Sequence, residues 1–197
     1  MVKTILISQP KPSDPVKNPY NELAEKYSLN IDFHKFIKVE GVPAREFRKD
    51  RVNILNHSAV IFTSRNSVDH FFRMCKEMRV EVPDKIKYFS ISESTSYYLQ
   101  KYVQFRKRKV FHGHQNFKDL LEIIKKHKDE NFLLPCSDIY KQSLPKLLED
   151  NKVSFTKAVI YRTLASDLSH LKINDYDMII FFSPSGVKSL MKNFPEY

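Results

Sequence analysis

Short strand-like runs alternate with helix-like segments along most of the chain, and this alternation constrains the fold more than any other feature. Residues 3–8 (KTILIS) and 59–63 (AVIFT) are compact apolar runs, as expected of strands that are buried on both faces. After the second run, apolar residues over 68–75 are spaced i, i+3, i+4, i+7, which predicts one buried face of a helix. Similar patterns predict strands at residues 31–39, 86–91, 109–111, 132–135, 155–161 and 178–182, and helices at residues 21–27, 93–102, 117–124, 144–148 and 186–192. Such alternation favours an α/β fold in which helices cover parallel sheets.

The two halves of the chain repeat one pattern. Residues 61–72 (IFTSRNSVDHFF) align with residues 180–191 (IFFSPSGVKSLM), so that strand, serine, turn, valine and helix fall at matching places. Two weaker matches, 25–37 with 149–161 and 5–14 with 132–138, keep the same order at a spacing of about 120 residues. In the second half the sequence stops at Tyr197, directly after the matching unit. The repeat therefore predicts a C-terminally truncated chain that lacks about two strands and two helices.

Composition indicates a globular protein and excludes several common classes. Apolar residues make up 42% of the chain, and 15 Phe and 10 Tyr are enough large rings to build a core. The three glycines, Gly41, Gly113 and Gly186, are too far apart for a GxGxxG or Walker A loop, so Rossmann-type dinucleotide binding and P-loop chemistry are not expected. Cys75 and Cys136 are expected to be buried free thiols.

The apolar runs are also too short for a membrane protein. None approaches the ~20 residues that span a bilayer, and the N-terminal run is too short for a secretory signal. A soluble cytoplasmic protein is therefore expected.

The net charge of +10 suggests an anionic partner, which could be nucleic acid, an acidic membrane or an anionic metabolite. A solvated, lysine-rich surface explains the charge equally well. The basic run at residues 106–109 (RKRK), beside Tyr102 and Phe105, is one short patch without an RNA- or DNA-binding motif, so a solvated charge run is favoured. His112 and His114 form an HxH without further ligands at a familiar spacing, so no metal site is expected.

Short polar runs follow the carboxyl ends of several predicted strands, which is where open parallel sheets bind ligands. Several of these runs open helices, whose N-termini carry unpaired N–H groups and a partial positive charge and so accept carboxylates. For each residue alone, the alternative is a helix cap without a ligand. The runs are Ser8-Gln9, residues 63–67 (TSRNS), residues 92–95 (SEST), Ser137-Asp138 and residues 183–186 (SPSG).

Four segments resemble, in order and spacing, the recurrent blocks of uroporphyrinogen-III synthases (HemD-like proteins). They are residues 61–72, 91–95 (ISEST), 157–163 (KAVIYRT) and 181–190 (FFSPSGVKSL), and the resemblance covers essentially the whole chain.

The resemblance implies two flavodoxin-like α/β lobes with parallel sheets, the first discontinuous and incomplete at its C-terminus. Domain one would comprise residues 1–38 and 164–197, and domain two residues 40–161. The chain would cross between them near residues 39–43 and 162–166, in agreement with the pattern breaks at Gly41 and after Thr163. The ligand would lie in the cleft between the lobes.

The resemblance also implies the reaction. Hydroxymethylbilane, a small polycarboxylate, would be cyclised with inversion of its last pyrrole ring and loss of water, in tetrapyrrole (haem) biosynthesis. The protein would be a carbon–oxygen lyase without cofactor or metal, a monomer, with no membrane or nucleic acid as partner. The expected catalytic residue is Tyr161, which matches a Tyr of the family's block and could protonate the leaving hydroxyl; the alternative is a Tyr packed at the hinge. The expected substrate-binding residues are Ser64, Arg65, Asn66, Ser67, Ser92, Ser94, Thr95, Ser137, Ser183, Ser185 and Gly186.

Three departures from the family's pattern leave other functions open. Gln9 stands where family members often have Arg, Ser92 stands where Gly is usual, and residues 133–143 (LLPCSDIYKQS) lack the Gly and Arg often seen there. A second hypothesis is therefore a non-catalytic protein of the same fold that binds an anionic metabolite or a partner. A third, on charge alone, is a nucleic-acid-binding α/β protein.

Overall fold

The computed structural model describes residues 2–14, 18–104, 106, 109–114, 116–140 and 142–197. Within these residues the strands are β1 (Thr4–Ile7), β2 (Asn30–Phe33), β3 (Ile37–Gly41), β4 (Ala59–Phe62), β5 (Lys87–Ser90), β6 (Val110–His112), β7 (Phe132–Ser137), β8 (Phe155–Ala165) and β9 (Met178–Ile180). The α-helices are α1 (Pro19–Tyr27), α2 (Ala44–Phe47), α3 (Arg65–Met78), α4 (Glu93–Leu99), α5 (Phe117–Lys125), α6 (Ser143–Asp150) and α7 (Pro184–Asn193).

The chain divides into two compact units. Unit one consists of Met1–Val39 and Thr163–Tyr197, and unit two is Glu40–Arg162. The boundaries fall inside β3 and inside β8, so each connection between the units is part of a strand.

Unit one contains a three-stranded parallel sheet in the order β2-β1-β9. Its strands are short because each pairs over three or four residues with β1 at the centre. The buried core beside the sheet gathers Leu6, Phe36, Leu168, Leu171, Ile173 and Leu190. This core joins the first residues of the chain to its last helix, α7.

Unit two is built on a larger sheet with the order β3-β8-β7-β4-β5-β6, in which β8, β7, β4, β5 and β6 are parallel neighbours. Numbered in chain order from β4, these five strands read 3-2-1-4-5 across the sheet from β6 to β8. The α/β class with parallel sheets is confirmed. The order matches the first five strands of the Rossmann order 3-2-1-4-5-6 rather than the 2-1-3-4-5 of flavodoxin itself.

Helices cover both faces of this sheet. On one face α5 and α6 contribute Leu120, Ile124 and Leu148 to a core with Ile61 and Phe89 of the sheet. On the opposite face α3 packs against β4, since the Phe62 and Phe71 ring centroids lie 5.5 Å apart, edge to face. The alternation of Ile61 and Phe62 between the two faces follows from the two-residue period of a strand, and every residue of β4 is buried.

Two predictions about the strands were wrong. Residues 31–39 form two strands, β2 and β3, which lie in different sheets. The pattern contains the reason: the apolar residues Phe33 and Phe36 are three positions apart, and a single strand would place them on opposite faces. The strand predicted at residues 155–161 is also longer than expected, because β8 continues to Ala165, and the unit boundary near residues 162–166 lies within it.

Candidate functional site

A cavity of about 530 Å³ opens in unit two at the carboxyl ends of the parallel strands. It lies beside the neighbours β4 and β7, where the strand order of the sheet reverses. Helices leave such a switch point on opposite faces of the sheet, which opens a crevice for ligands. The polar residues that line the cavity are Thr63, Ser64, Asn116, Ser137, Tyr140, Ser143 and Tyr161.

Tyr161 lines this cavity near the end of unit two. Its side chain is 8% exposed, and its ring stacks on the imidazole of His70 with centroids 5.0 Å apart and planes at 17°. Burial raises the pKa of the Tyr161 phenol, and a hydrogen bond with the Ser64 side chain opposes that rise. The phenol is therefore protonated at neutral pH and can donate its proton to a bound group.

Ser64 connects the cavity to helix α3. It is the N-cap of α3, and its Oγ accepts a hydrogen bond from the Ser67 N–H at 3.1 Å. Ser67 completes a capping box, because its Oγ accepts from the Ser64 N–H at 3.1 Å and donates to the Ser64 carbonyl at 2.7 Å. These bonds fix Ser64 at the helix end, where its side chain also reaches Tyr161.

The other predicted residues of this turn do not line the cavity in the described part of the chain. Ser67 is buried and engaged in the capping box. Arg65 and Asn66 are exposed, and the Arg65 guanidinium lies over the ring of Tyr98, 5.4 Å from its centroid. Of the four predicted ligands at the start of α3, Ser64 is the one that lines the cavity with Tyr161.

The predicted residues at the start of α4 form a local hydroxyl cluster. Ser92 caps α4 by accepting from the Thr95 N–H at 3.4 Å, and its Oγ also lies 3.1 Å from the Oγ of Ser94. Their neighbour Ile91 contributes to the cavity wall. In this structure, Ser92, Ser94 and Thr95 act as a helix cap.

Ser137 lines the cavity without opening a helix. It ends β7 at an irregularity in the pairing with β8. Its Oγ donates to the Asp138 carboxylate at 2.8 Å and accepts from the Ile139 N–H at 3.3 Å. The β7 end therefore supplies a hydroxyl at the cavity, held in place by the neighbouring Asp138 carboxylate.

The remaining predicted ligands, Ser183, Ser185 and Gly186, belong to unit one. Ser183 caps α7 and accepts from the Gly186 N–H at 3.3 Å. A Cβ at Gly186 would lie 3.3 Å from the Phe181 ring and 3.5 Å from the Ser8 Oγ, which leaves little room for a side chain. This turn repeats in unit one the cap that Ser64 makes in unit two.

Three cavity residues, Asn116, Tyr140 and Ser143, are not among the residues predicted from the sequence. The Tyr140 hydroxyl accepts a hydrogen bond from the Lys157 ammonium at 2.8 Å, which lowers the pKa of this phenol. The predicted ligands lie in serine and threonine runs directly after strands. Tyr140 and Asn116 follow β7 and β6 after short loops, so their distance from the strand end hid them.

Ser64→Ala is expected to lower the free energy of unfolding by about 1 kcal/mol, as loss of an N-cap does. It should also lower kcat by roughly 10-fold, because the Tyr161 hydroxyl loses the side chain that orients it. Urea unfolding and steady-state turnover measure the two effects. The matched control is Asn18→Ala, which removes the N-cap of α1 in unit one and should cost similar stability without an effect on kcat. Equal kcat values for the two variants would contradict a role for Ser64 at the site.

Both cysteines are free and buried, as the sequence predicted. Burial raises the pKa of Cys75 to about 12 and that of Cys136 to about 11. We expect native protein at pH 8 to react with a thiol-specific disulfide reagent at least ~100-fold more slowly than guanidinium-unfolded protein. Rapid modification of one thiol in the native protein would contradict this burial.

The structure adds no support for a metal site at the HxH motif or for a nucleic-acid-binding patch at the basic run. Within residues 2–14, 18–104, 106, 109–114, 116–140 and 142–197, no group of three or more His, Cys, Asp and Glu side chains could hold a metal ion. The His112 Nδ1 lies 3.2 Å from the carbonyl of Gly113, and His114 is exposed. Phe105, Lys107 and Arg108 of the basic run lie outside the described residues. Among the helices that are described, none is long and apolar enough to cross a membrane.

Comparison with known proteins decides the family. Residues 18–197 match the sequence model of the family described as uroporphyrinogen-III synthase HemD. The chain belongs to this family. Uroporphyrinogen-III synthases are lyases of tetrapyrrole and haem biosynthesis, so the family and the enzyme class predicted from the sequence are confirmed.

Solved structures support the fold of this uroporphyrinogen-III synthase family member. A mutant uroporphyrinogen III synthase from the extremely thermophilic bacterium Thermus thermophilus superposes with a TM-score of 0.63 at 16% identity, over 97% of this chain and 77% of that one. Uroporphyrinogen-III synthetase from Helicobacter pylori 26695 gives a TM-score of 0.61 at 18% identity, over 98% of this chain and 78% of that one. No curated protein sequence gives a significant match.

Proposed function

We propose that this protein cyclises hydroxymethylbilane to uroporphyrinogen III and that the cavity of unit two holds the reacting end of the substrate. The observation that carries this proposal is Tyr161, a protonated phenol that lines that cavity together with Ser64, the cap of α3. Membership in the uroporphyrinogen-III synthase family supplies the reaction.

The reaction requires a general acid and a fixed arrangement of the substrate's rings rather than a cofactor. The electrons of the terminal pyrrole expel the hydroxyl of the hydroxymethyl group, which takes a proton from the acid and leaves as water. The α-carbon of the last ring that already carries a methylene bridge then bonds to the exposed methylene; its old bridge bond breaks and re-forms at the free α-carbon, which loses its proton to solvent and leaves the ring inverted. Tyr161 is placed to donate the first proton, and the walls of the cavity hold the rings for the attack.

Recognition of the carboxylates rests on helix ends and basic side chains. The N–H groups at the start of α3 carry the partial positive charge of the helix next to the cavity. Lys157, near the cavity through its bond to Tyr140, adds a full positive charge. A net charge of +10 attracts a polyanion over a longer range.

A second candidate is a non-catalytic protein of the same fold that binds an anion or a partner. It is favoured by the departures at Gln9 and Ser92, and by the engagement of Ser92 with Ser94 and Thr95 in a helix cap. In that case the cavity would bind the tetrapyrrole without cyclising it.

The expected cellular context is a cytoplasmic monomer. It suits an enzyme whose substrate and product are both small, water-soluble anions. Sedimentation velocity at micromolar concentration would measure the oligomeric state.

The substrate class is tested by isothermal titration with two stable porphyrins, uroporphyrin and coproporphyrin, of which the second has fewer carboxylates. We expect uroporphyrin to bind more tightly and to lose more affinity at high salt. A single-stranded RNA oligonucleotide is the competitor and should not displace uroporphyrin. Equal affinity for the two porphyrins, or displacement by RNA, would contradict a site built for a tetrapyrrole polycarboxylate.

A further inference from the structure

The Tyr161 ring stacks on the His70 ring, and both side chains belong to a connected group in unit two. The imidazole and phenol rings are nearly parallel, at 17° with centroids 5.0 Å apart. Such contact fixes the plane of a phenol but leaves its hydroxyl free to bond elsewhere, here on the side of the cavity that Ser64 also lines. The orientation of the Tyr161 ring therefore depends on what holds His70.

Arg73, one helical turn further along α3, holds His70. Its Nε donates a hydrogen bond to the His70 Nδ1 at 3.1 Å. An arginine cannot accept, so Nδ1 must carry the lone pair and the imidazole proton must sit on Nε2. This bond selects one neutral tautomer and fixes the rotation of the ring.

Arg73 is itself anchored on three sides. One terminal nitrogen donates to the carbonyls of Val42 at 3.0 Å and Ile160 at 2.9 Å, and the other pairs with Glu77 at 2.5 Å. Ile160 is the residue before Tyr161, so the guanidinium holds the strand that carries the phenol as well as the imidazole that stacks on it.

Gly41 makes room for this guanidinium. A Cβ at this position would lie 2.5 Å from the Arg73 Cζ, closer than real contacts allow. Because Gly41 has no side chain, the Arg73 guanidinium has the space it needs to make its several hydrogen bonds.

We propose that His70 is a positioning residue for Tyr161, held in one tautomer and one orientation by Arg73 on the carbonyls of Val42 and Ile160. The inference rests on the proposed role of Tyr161 as the acid. Its chemical consequence is that the phenol points at the leaving hydroxyl before the substrate arrives, so loss of the ring contact lowers kcat and leaves KM unchanged.

The electrostatic surroundings of His70 agree with a neutral ring. Burial and the positive charge of Arg73 lower the pKa of His70, and the carboxylates of Asp69 and Glu77 oppose them. These three charged groups lie on α3 with His70, and Tyr161 is the titratable group that faces it from β8. Protonation of His70 would remove the acceptor for Arg73, so a fixed geometry requires the neutral form.

The activity test compares His70→Ala with His70→Phe, which keeps an aromatic face for Tyr161. We expect His70→Ala to lower kcat about 10-fold with KM within about twofold of the wild type, and His70→Phe to stay within about threefold of wild-type kcat. In a Tyr161→Phe background, His70→Ala should have no further effect, because its effect passes through the hydroxyl. A KM effect, failure of His70→Phe to restore kcat, or additive losses in the double variant would overturn the proposal.

A second test does not depend on turnover. Nitrogen-15 NMR of the histidine rings should show His70 as the neutral Nε2–H tautomer, with a titration midpoint below the ordinary value of 6.5. Arg73→Gln should mix the tautomers and raise that midpoint, and His70→Ala should shift and broaden the Tyr161 ring signals, which are assigned by their loss in Tyr161→Phe. The opposite tautomer, or Tyr161 signals unchanged in His70→Ala, would overturn the inference.

The two tests separate the failure of this inference from failure of the proposed function. If Tyr161→Phe is as active as the wild type, the assignment of the acid is wrong and His70 has no acid to position. If Tyr161→Phe is slow but His70→Ala is not, Tyr161 remains the proposed acid, and the positioning role of His70 is wrong. If no variant turns over, the tautomer and the Tyr161 signals decide whether the arrangement exists.

Discussion

Tyr161→Phe is expected to lower kcat for formation of the type III product about 100-fold, which is the usual contribution of a general acid. The change removes one oxygen and keeps the ring that stacks on His70, so the fold and the cavity should persist. Because burial raises the phenol pKa above its ordinary value of 10.0, the midpoint for loss of this acid from wild-type kcat should lie above pH 10. Initial rates of both proteins from about pH 7 to about pH 11 measure the effect.

The matched control for this substitution is Tyr88→Phe. Tyr88 is 6% exposed, in unit two, and lies outside the cavity at the switch point. The same loss of a buried hydroxyl should leave kcat within about twofold of the wild type. If Tyr88→Phe slowed turnover as much as Tyr161→Phe, the effect would reflect the stability of unit two and not an acid at the site.

Phe89→Ala is expected to lower the free energy of unfolding by about 3–5 kcal/mol, the largest loss of stability that we predict. The Phe89 side chain is fully buried in β5, with ring centroids 4.9 Å from Phe111, 5.1 Å from Phe132 and 5.4 Å from His127. Truncation leaves a cavity that these rings cannot fill without moving two strands and the turn that follows α5. Urea unfolding followed by circular dichroism gives the value.

Leu55→Ala controls for the loss of an apolar side chain in the same unit. Leu55 is 51% exposed, so its truncation should change the unfolding free energy by no more than about 0.5 kcal/mol. A loss below about 1 kcal/mol for Phe89→Ala would show that the core between the sheet and helices α5 and α6 is not packed as described.

Local patterns were enough to predict most of the fold. The i, i+3, i+4, i+7 spacing after residue 68 predicted α3, and the compact run at residues 59–63 predicted β4, because each signal lies within one element. The Ser64 cap was visible for the same reason. Strand order was not visible, because hydrogen bonds between β4, β5 and β7 join residues far apart in sequence.

The site was only partly predictable for a related physical reason. Ser64, Ser137 and Tyr161 could be chosen because each stands at the end of an apolar run. His70 and Arg73 lie on a face of α3 that carries no special sequence signal, and their partners at Val42 and Ile160 are backbone carbonyls. A backbone acceptor has no residue identity, so sequence alone cannot indicate it.

The most direct test of the proposed function is the isomer composition of the product formed from freshly generated hydroxymethylbilane. The uroporphyrinogens are oxidised to porphyrins and resolved by chromatography, with a reaction lacking the protein as the blank. We expect type III as the main product, formed at an initial rate that falls about 100-fold with Tyr161→Phe. If only the type I product formed, at the rate of the blank, the proposed synthase activity would be contradicted. The hypothesis of a non-catalytic anion-binding protein of the same fold would then replace it.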